Sequence, residues 1–180
     1  MRHVRRDMFP NHHAILSLIG TNSHNIANSM DIDQTDRRIL KHLQENCDIS
    51  LDALGSAVNL SRNACWRRIK LLGEAGIIKR KVALLDAEAL GLGLNVFIQV
   101  RTDQHDSNWS TKFARATKVM PEIQGVYRMS GDLDYLIRAR VADMKDYDRL
   151  YQKLTASVPL ADVSASFVME EIKDTTALPI

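Results

Sequence analysis

Cysteine is scarce in this 180-residue chain. Only Cys47 and Cys65 are present, too few and too far apart for a disulfide scaffold or a four-cysteine zinc site. That usage suits a reducing cytoplasm. Long apolar runs are missing too. None approaches the roughly 20 residues that a spanning helix needs, so no integral membrane protein is expected. Nor is there a glycine-rich phosphate loop, a pair of metal ligands or a nucleophile–base arrangement. No catalytic residue, metal site or cofactor is therefore expected. What remains is 45% hydrophobic and 26% charged, a globular composition, at a length that allows one ordinary domain or two small ones.

The net charge of +2 hides an uneven distribution. Residues 1–29 carry three arginines and one aspartate. Residues 30–81 carry ten Lys/Arg against seven Asp/Glu, and residues 82–180 carry eleven against fourteen. A basic half joined to an acidic half points to a polyanion-binding part and a part with another task.

Residues 1–29 read as a flexible leader, with the working protein opening near Met30. They hold His3, His12, His13 and His24, a short apolar patch at 14–19 and a polar tail. A basic DNA-contacting arm or a metal-binding histidine cluster is the alternative reading, although the histidine spacing matches no ligand motif. From Asp31 to Lys81 the period is helical. Asp33 can cap a helix with Ile39, Leu40 and Leu43 on one face, and Asp36 sits in its first turn. Ser50 caps a short second helix, Asn59-Leu60 makes a turn, and Ser61 caps a third helix that stops before Gly76. Two helices joined by a tight turn read as a helix-turn-helix over residues 30–81. Ile77 to Lys81 then read as a short strand leading into a linker at 82–93.

The third helix has two chemically distinct faces. Cys65, Ile69 and Leu72 form an apolar stripe, which makes Cys65 a buried structural residue rather than a thiol sensor. Asn63, Trp66, Arg67 and Lys70 fall on another face, and four cations with no anion lie between Ser61 and Leu72. A solvated helix normally mixes both signs. Arg and Lys reach phosphates or guanine edges, Asn pairs with adenine, and Trp packs on sugar or a thymine methyl. Ser61, Arg62, Asn63, Trp66, Arg67 and Lys70 are therefore the candidate DNA-binding residues. Arg68 lies between the faces, and a DNA contact and a structural ion pair with the first helix are both open to it.

From Leu94 the period drops to two, and residues 94–180 read as strand, helix, two strands, helix, strand. Leu94, Val96, Ile98 and Val100 mark the first strand, and Trp109, Phe113, Ala116 and Met120 a helix that Pro121 stops. Ile123–Met129 and Tyr135–Val141 form a hairpin through Ser130-Gly131-Asp132-Leu133. Tyr147, Leu150, Tyr151 and Leu154 mark the second helix, and Val163, Ala165, Phe167 and Met169 the last strand. This βαββαβ order is ferredoxin-like, making the whole chain α+β. Two helices cover one sheet face. Phe97 and Leu136 on the other call for a second copy.

With those pieces in place, residues 31–180 resemble the Lrp/AsnC family of regulators. The resemblance rests on Asp31-Ile32-Asp33-Gln34-Thr35-Asp36-Arg37-Arg38-Ile39-Leu40, on Leu60-Ser61 through Leu72 with Gly76-Ile77-Ile78, on Gly131-Asp132-Leu133-Asp134-Tyr135 and on the tail from Thr175 to Ile180. It implies a winged or plain helix-turn-helix on double-stranded DNA and a ligand-binding and oligomerisation domain over 94–180. It also implies dimers, often gathered into octamers, that sense a small amino acid where dimers meet. Asn63 stands where the family commonly has Ser or Thr, and the leader has no family counterpart. Ala64-Cys65-Trp66-Arg67-Arg68, Lys81–Asp86 and Val141–Lys145 resemble a subgroup that includes regulators of cysteine breakdown, which suggests L-cysteine as effector.

Ser130, Gly131, Asp132 and Asp134 are the candidate effector residues. Loop N–H groups beside Gly131 suit a carboxylate and an aspartate suits an ammonium, although Gly-Asp in a hairpin is also ordinary turn chemistry, with Asp134 bonded to the loop backbone. Two other functions fit the same plan. The two-domain layout also resembles tetrapyrrole decarboxylases that use pocket histidines, but after His42 only His105 remains, in a polar loop. An effector-binding module with a degenerate helix-turn-helix is the other, and the unbroken basic face argues against it.

Overall fold

The computed structural model describes residues 31–104 and 106–180. The expected leader, Met30 and His105 lie outside them. The described chain forms two compact units, residues 31–82 together with Thr176–Ile180, and Ala83–Thr175. Among the described residues no helix is long and apolar enough to cross a membrane.

The first unit holds three helices, α1 (Gln34–Glu45), α2 (Leu51–Val58) and α3 (Arg62–Glu74). Each starts at a side chain that satisfies an orphan backbone N–H. Asp33 accepts from the Asp36 amide at 2.7 Å while the Asp36 carboxylate accepts from the Asp33 amide at 3.3 Å, a reciprocal capping box. Ser50 caps α2 through the Ala53 amide, and Ser61 caps α3 through the Ala64 amide. Both ends of the reading motif close by left-handed residues. Asn59 adopts φ 58°, and the Leu60 amide bonds back to the Gly55 carbonyl. Gly76 adopts φ +73°, with the Ile77 amide bonded to Leu72 and the Gly76 amide to Gly73, the paired bonds of a Schellman motif. Ile39, Leu40, Leu54, Val58, Cys65 and Leu72 are buried together as the core.

The strand expected over Ile77–Lys81 does not form. Ile77 and Ile78 both return their amides to the Leu72 carbonyl and pack against the helical core, so their hydrogen bonds serve the helix end instead of a ladder. Lys79, Arg80 and Lys81 follow with no regular structure.

The second unit is the βαββαβ layer. Its elements are β1 (Leu94–Arg101), α4 (Ser107–Lys118), β2 (Ile123–Arg128), β3 (Tyr135–Val141), α5 (Met144–Ser157) and β4 (Asp162–Phe167). The antiparallel sheet has the order β2-β3-β1-β4, with Ile98 opposite both Ile137 and Ala165. Val96, Ile98 and Val100 alternate inward from β1, Ile137, Ala139 and Val141 from β3, and all six are fully or almost fully buried under α4 and α5. Asp106 and Asp143 cap the two helices. Trp109 stacks on Phe113 at 5.0 Å and donates its indole N–H to the Pro159 carbonyl at 2.8 Å, so a large apolar ring is buried with its polar atom satisfied. The last strand ends at Phe167, two residues short of the expected Met169, which stands in solvent. Glu171 then folds back onto the sheet, where Asn95 and Arg140 both donate to it.

Opposite the helices, the sheet presents Phe97, Gln99, Leu136 and Tyr127. Two atoms on this side, Asn95 Oδ1 and Arg138 Nε, are buried with no hydrogen-bond partner among the described residues.

Candidate functional site

Helix α3 presents its cations because its apolar stripe is taken. Cys65 and Leu72 are wholly buried, which turns Arg62, Asn63, Trp66, Arg67 and Lys70 outward. Ser61, the cap, begins this exposed face. Trp66 stays 54% exposed, an unusual setting for an indole, and the Lys70 ammonium lies 5.5 Å from its ring centre. Arg62 is only loosely paired with Asp52 at 3.4 Å, and Lys70 with Glu74 at 3.7 Å, all four side chains being mostly in water. Such pairs are weak and give way to a phosphate without much loss. Arg67 makes no ion pair among the described residues.

The next residue behaves differently. One Arg68 nitrogen donates to Asp33 and to Asp36, both at 2.8 Å, with the Asp36 side chain 2% exposed. Of the two roles open to Arg68, this geometry is the ion pair, tying α3 to the first turn of α1. The Asp36 amide, first, and the Arg68 guanidinium, second, hold the Asp33 carboxyl below its usual value of 3.8. Arg38, which sequence reasoning passed over, donates to the Val58 carbonyl at 2.9 Å and satisfies the last turn of α2. Its signal would have been a long cation beside Ile39, able to reach the end of a neighbouring helix.

In the second unit, Ser130, Gly131, Asp132 and Asp134 share the loop between β2 and β3. Gly131 takes φ +107°, a conformation that L side chains rarely adopt. The loop is pinned at both edges. The Asp134 carboxylate accepts from the Thr102 amide at 2.8 Å, its carbonyl from the Met129 amide, and Arg101 Nε donates to the Asp132 carbonyl at 3.0 Å. Arg101 and Thr102, at the end of β1, are loop-holding residues that the motif reading missed because they lie about 30 positions upstream. Asp132 itself is exposed. The backbone N–H groups of Ser130, Gly131 and Asp132 make no hydrogen bond among the described residues. A groove of about 600 Å³ runs between α4 and β2, lined by Phe113, Lys118, Val126, Arg128 and Tyr135 among others. None of the four loop residues lines it.

Known proteins share this arrangement in both units. The profile of the winged helix-turn-helix DNA-binding domain matches residues 32–79, and that of the Lrp/AsnC ligand binding domain matches residues 95–178. The DNA-binding transcriptional activator DecR of Escherichia coli K12 is 51% identical over 150 residues, covering 83% of this chain and 99% of that protein. An AsnC family transcriptional regulator from Agrobacterium tumefaciens superposes with a TM-score of 0.79 at 43% identity, over 82% of this chain and 96% of that one. A transcriptional regulator from Neisseria meningitidis, solved as a complex with L-methionine, superposes with the same score at 36% identity, over 83% and 97%. These relatives carry the names of regulators and not of enzymes. A capped reading helix, a four-stranded effector-type sheet and similarity along nearly the whole length of such proteins place this chain in the Lrp/AsnC family of DNA-binding transcriptional regulators, which respond to amino-acid effectors.

Proposed function

We propose that Ser61, Arg62, Asn63, Trp66, Arg67 and Lys70 read double-stranded DNA from the major groove, and that a small amino acid held by Ser130, Gly131, Asp132 and Asp134 modulates this binding to control genes of amino-acid metabolism. The observation that carries the reading is the outward face of α3, which has cations from Arg62 to Lys70 and no carboxylate of its own before Glu74. Arginine and lysine supply phosphate and guanine contacts there, and Asn63 and Trp66 supply base and sugar contacts.

The loop suits a zwitterion. Its N–H groups would take a carboxylate and Asp132 an ammonium, while Asp134 keeps the loop in shape through Thr102. L-methionine bound to the Neisseria regulator supports an amino acid as the ligand class. The subgroup resemblance through Ala64–Arg68 favours L-cysteine. The protein works as a homodimer at least, through the sheet face with Phe97 and Leu136, and as an octamer built from four such dimers, in the cytoplasm. The orphaned Asn95 and Arg138 atoms on that face support a partner that brings polar groups of its own.

Gel shifts on genomic fragments, with and without each of the twenty amino acids, test both halves. Binding must weaken steeply with salt, and at least one amino acid must change it. Asp132→Ala must abolish that response and leave basal affinity intact. DNA binding that ignores salt would favour an effector module without a reading head. A mutant that responds like the wild type would move the effector site elsewhere.

A further inference from the structure

The chain passes between its two compact units twice, once at Val82–Ala83 and again at Thr175–Thr176. The second passage returns five residues to the helical unit, and among them Leu178 is gripped by a side chain of α1. The Gln44 carboxamide, in the last turn of α1, accepts from the Leu178 amide at 2.6 Å and donates to the Leu178 carbonyl at 3.2 Å. One planar group thus reads a backbone residue in both directions, as a neighbouring strand would. Glutamine can do this because it carries an acceptor and a donor side by side, whereas glutamate only accepts and lysine only donates. Pro179 has no N–H to compete, and the Ile180 amide turns back onto the same Leu178 carbonyl at 3.0 Å.

The contact has the character of a fastening that opens. Leu178 is 68% exposed and Ile180 45%, so little apolar burial backs the hydrogen bonds. Its upstream anchor is firmer. Glu171 is bonded to Asn95 and Arg140 on the sheet, which leaves six residues, or seven steps along the chain, between that anchor and Leu178. Such a stretch spans about 25 Å at most. On the other side, the helix that Gln44 belongs to carries Asp36, the buried partner of Arg68 in α3. A path of hydrogen bonds and covalent chain therefore runs from the effector-type sheet through the tail and α1 to the reading helix.

We propose that Thr176–Ile180 is a clip on Gln44 through which the state of the amino-acid-binding unit sets the DNA affinity of α3. This rests on the function proposed above. When the clip is closed, a change that displaces Glu171 is passed to α1. When it is open, the chain connects the two units only through the linker after Val82.

Full-length protein, Gln44→Ala and a variant ending at Thr175 separate the possibilities. DNA affinity is read by gel shift on a genomic fragment selected by the wild type, and amino-acid binding by thermal shift with L-cysteine and L-methionine among the twenty. The wild type is expected to change affinity by about 5–150-fold with its effector, the usual range of such couplings. Both variants are expected to bind the amino acid and, in its absence, the DNA as the wild type does, with the effector response reduced to within about twofold. Variants that respond like the wild type would overturn the clip. Should no amino acid bind the wild type, the effector reading fails and the clip is judged separately. Linkage is reciprocal, so DNA bound at α3 must alter hydrogen exchange at the Leu178 amide. An exchange rate that DNA leaves unchanged would overturn the proposal.

Discussion

Arg67 and Arg68 are neighbours of identical chemistry whose surroundings divide them. Arg67 is exposed with no ion pair among the described residues, and Arg68 meets two carboxylates at 2.8 Å. Arg67→Ala is expected to weaken DNA binding on every fragment and to lower the log–log salt slope by about one unit, as the loss of one phosphate contact requires. Unchanged affinity in a folded variant would remove Arg67 from the interface. Arg68→Ala leaves the buried Asp36 carboxylate without its cation and is expected to cost about 3 kcal/mol in urea unfolding, before any effect on DNA. The sign of the acid response follows from Asp33. Its carboxyl titrates lower when folded than when unfolded, so its contribution is complete above about pH 4 and is lost as pH falls through the lowered value. Asp33→Asn keeps a good cap and should flatten that acid limb of the melting curve. The helical period was enough to turn Arg67 outward. It left Arg68 between two faces, because the carboxylates that decide its role lie 32 and 35 positions earlier in the chain.

The elements that carry the motif depend on a close approach at Gly55. A Cβ there would stand 2.6 Å from the Leu60 carbonyl oxygen, and that oxygen is backbone at the entry to α3. Gly55→Ala is expected to destabilise the helical unit by about 1–3 kcal/mol, seen as a lower melting temperature, because the turn must shift to admit a methyl group. An unchanged melt would show that the turn yields freely. Caps and alternation made most elements legible. Asp33, Ser50 and Ser61 start helices where hydroxyl or carboxylate oxygens precede helical periods, and β1 buries every second residue from Val96 to Val100. The strand expected at Ile77–Lys81 failed because local β character cannot supply a ladder partner, and the Schellman bonds at Gly76 had already claimed the Ile77 amide. The pinned loop between β2 and β3 was only half legible. Gly131 announced the turn, but the amide that occupies Asp134 belongs to Thr102, just past the end of β1.

At the scale of the whole molecule, the uncovered sheet face predicts association. Light scattering at micromolar concentration should give a dimer or a larger assembly, and Phe97→Asp should shift it toward monomer, since a charge would then be buried against the second copy. A wild-type monomer would overturn the dimer. The tail contact was invisible to sequence reasoning because Gln44 and Leu178 stand 134 positions apart and neither carries a motif. The strand order also sets a schedule for synthesis. β1 lies between β3 and β4, so the central strand cannot be paired on both sides until Phe167 has left the ribosome, while the three helices are complete by Glu74. At about 5–20 residues per second, the 85 residues from Ala83 to Phe167 take roughly 4–17 s. Throughout that interval a growing chain holds its reading helices without a completed sheet. Leu178 follows Gln44 by 134 residues, so at the same rate closure of the tail on α1 comes roughly 7–27 s after that helix has been made.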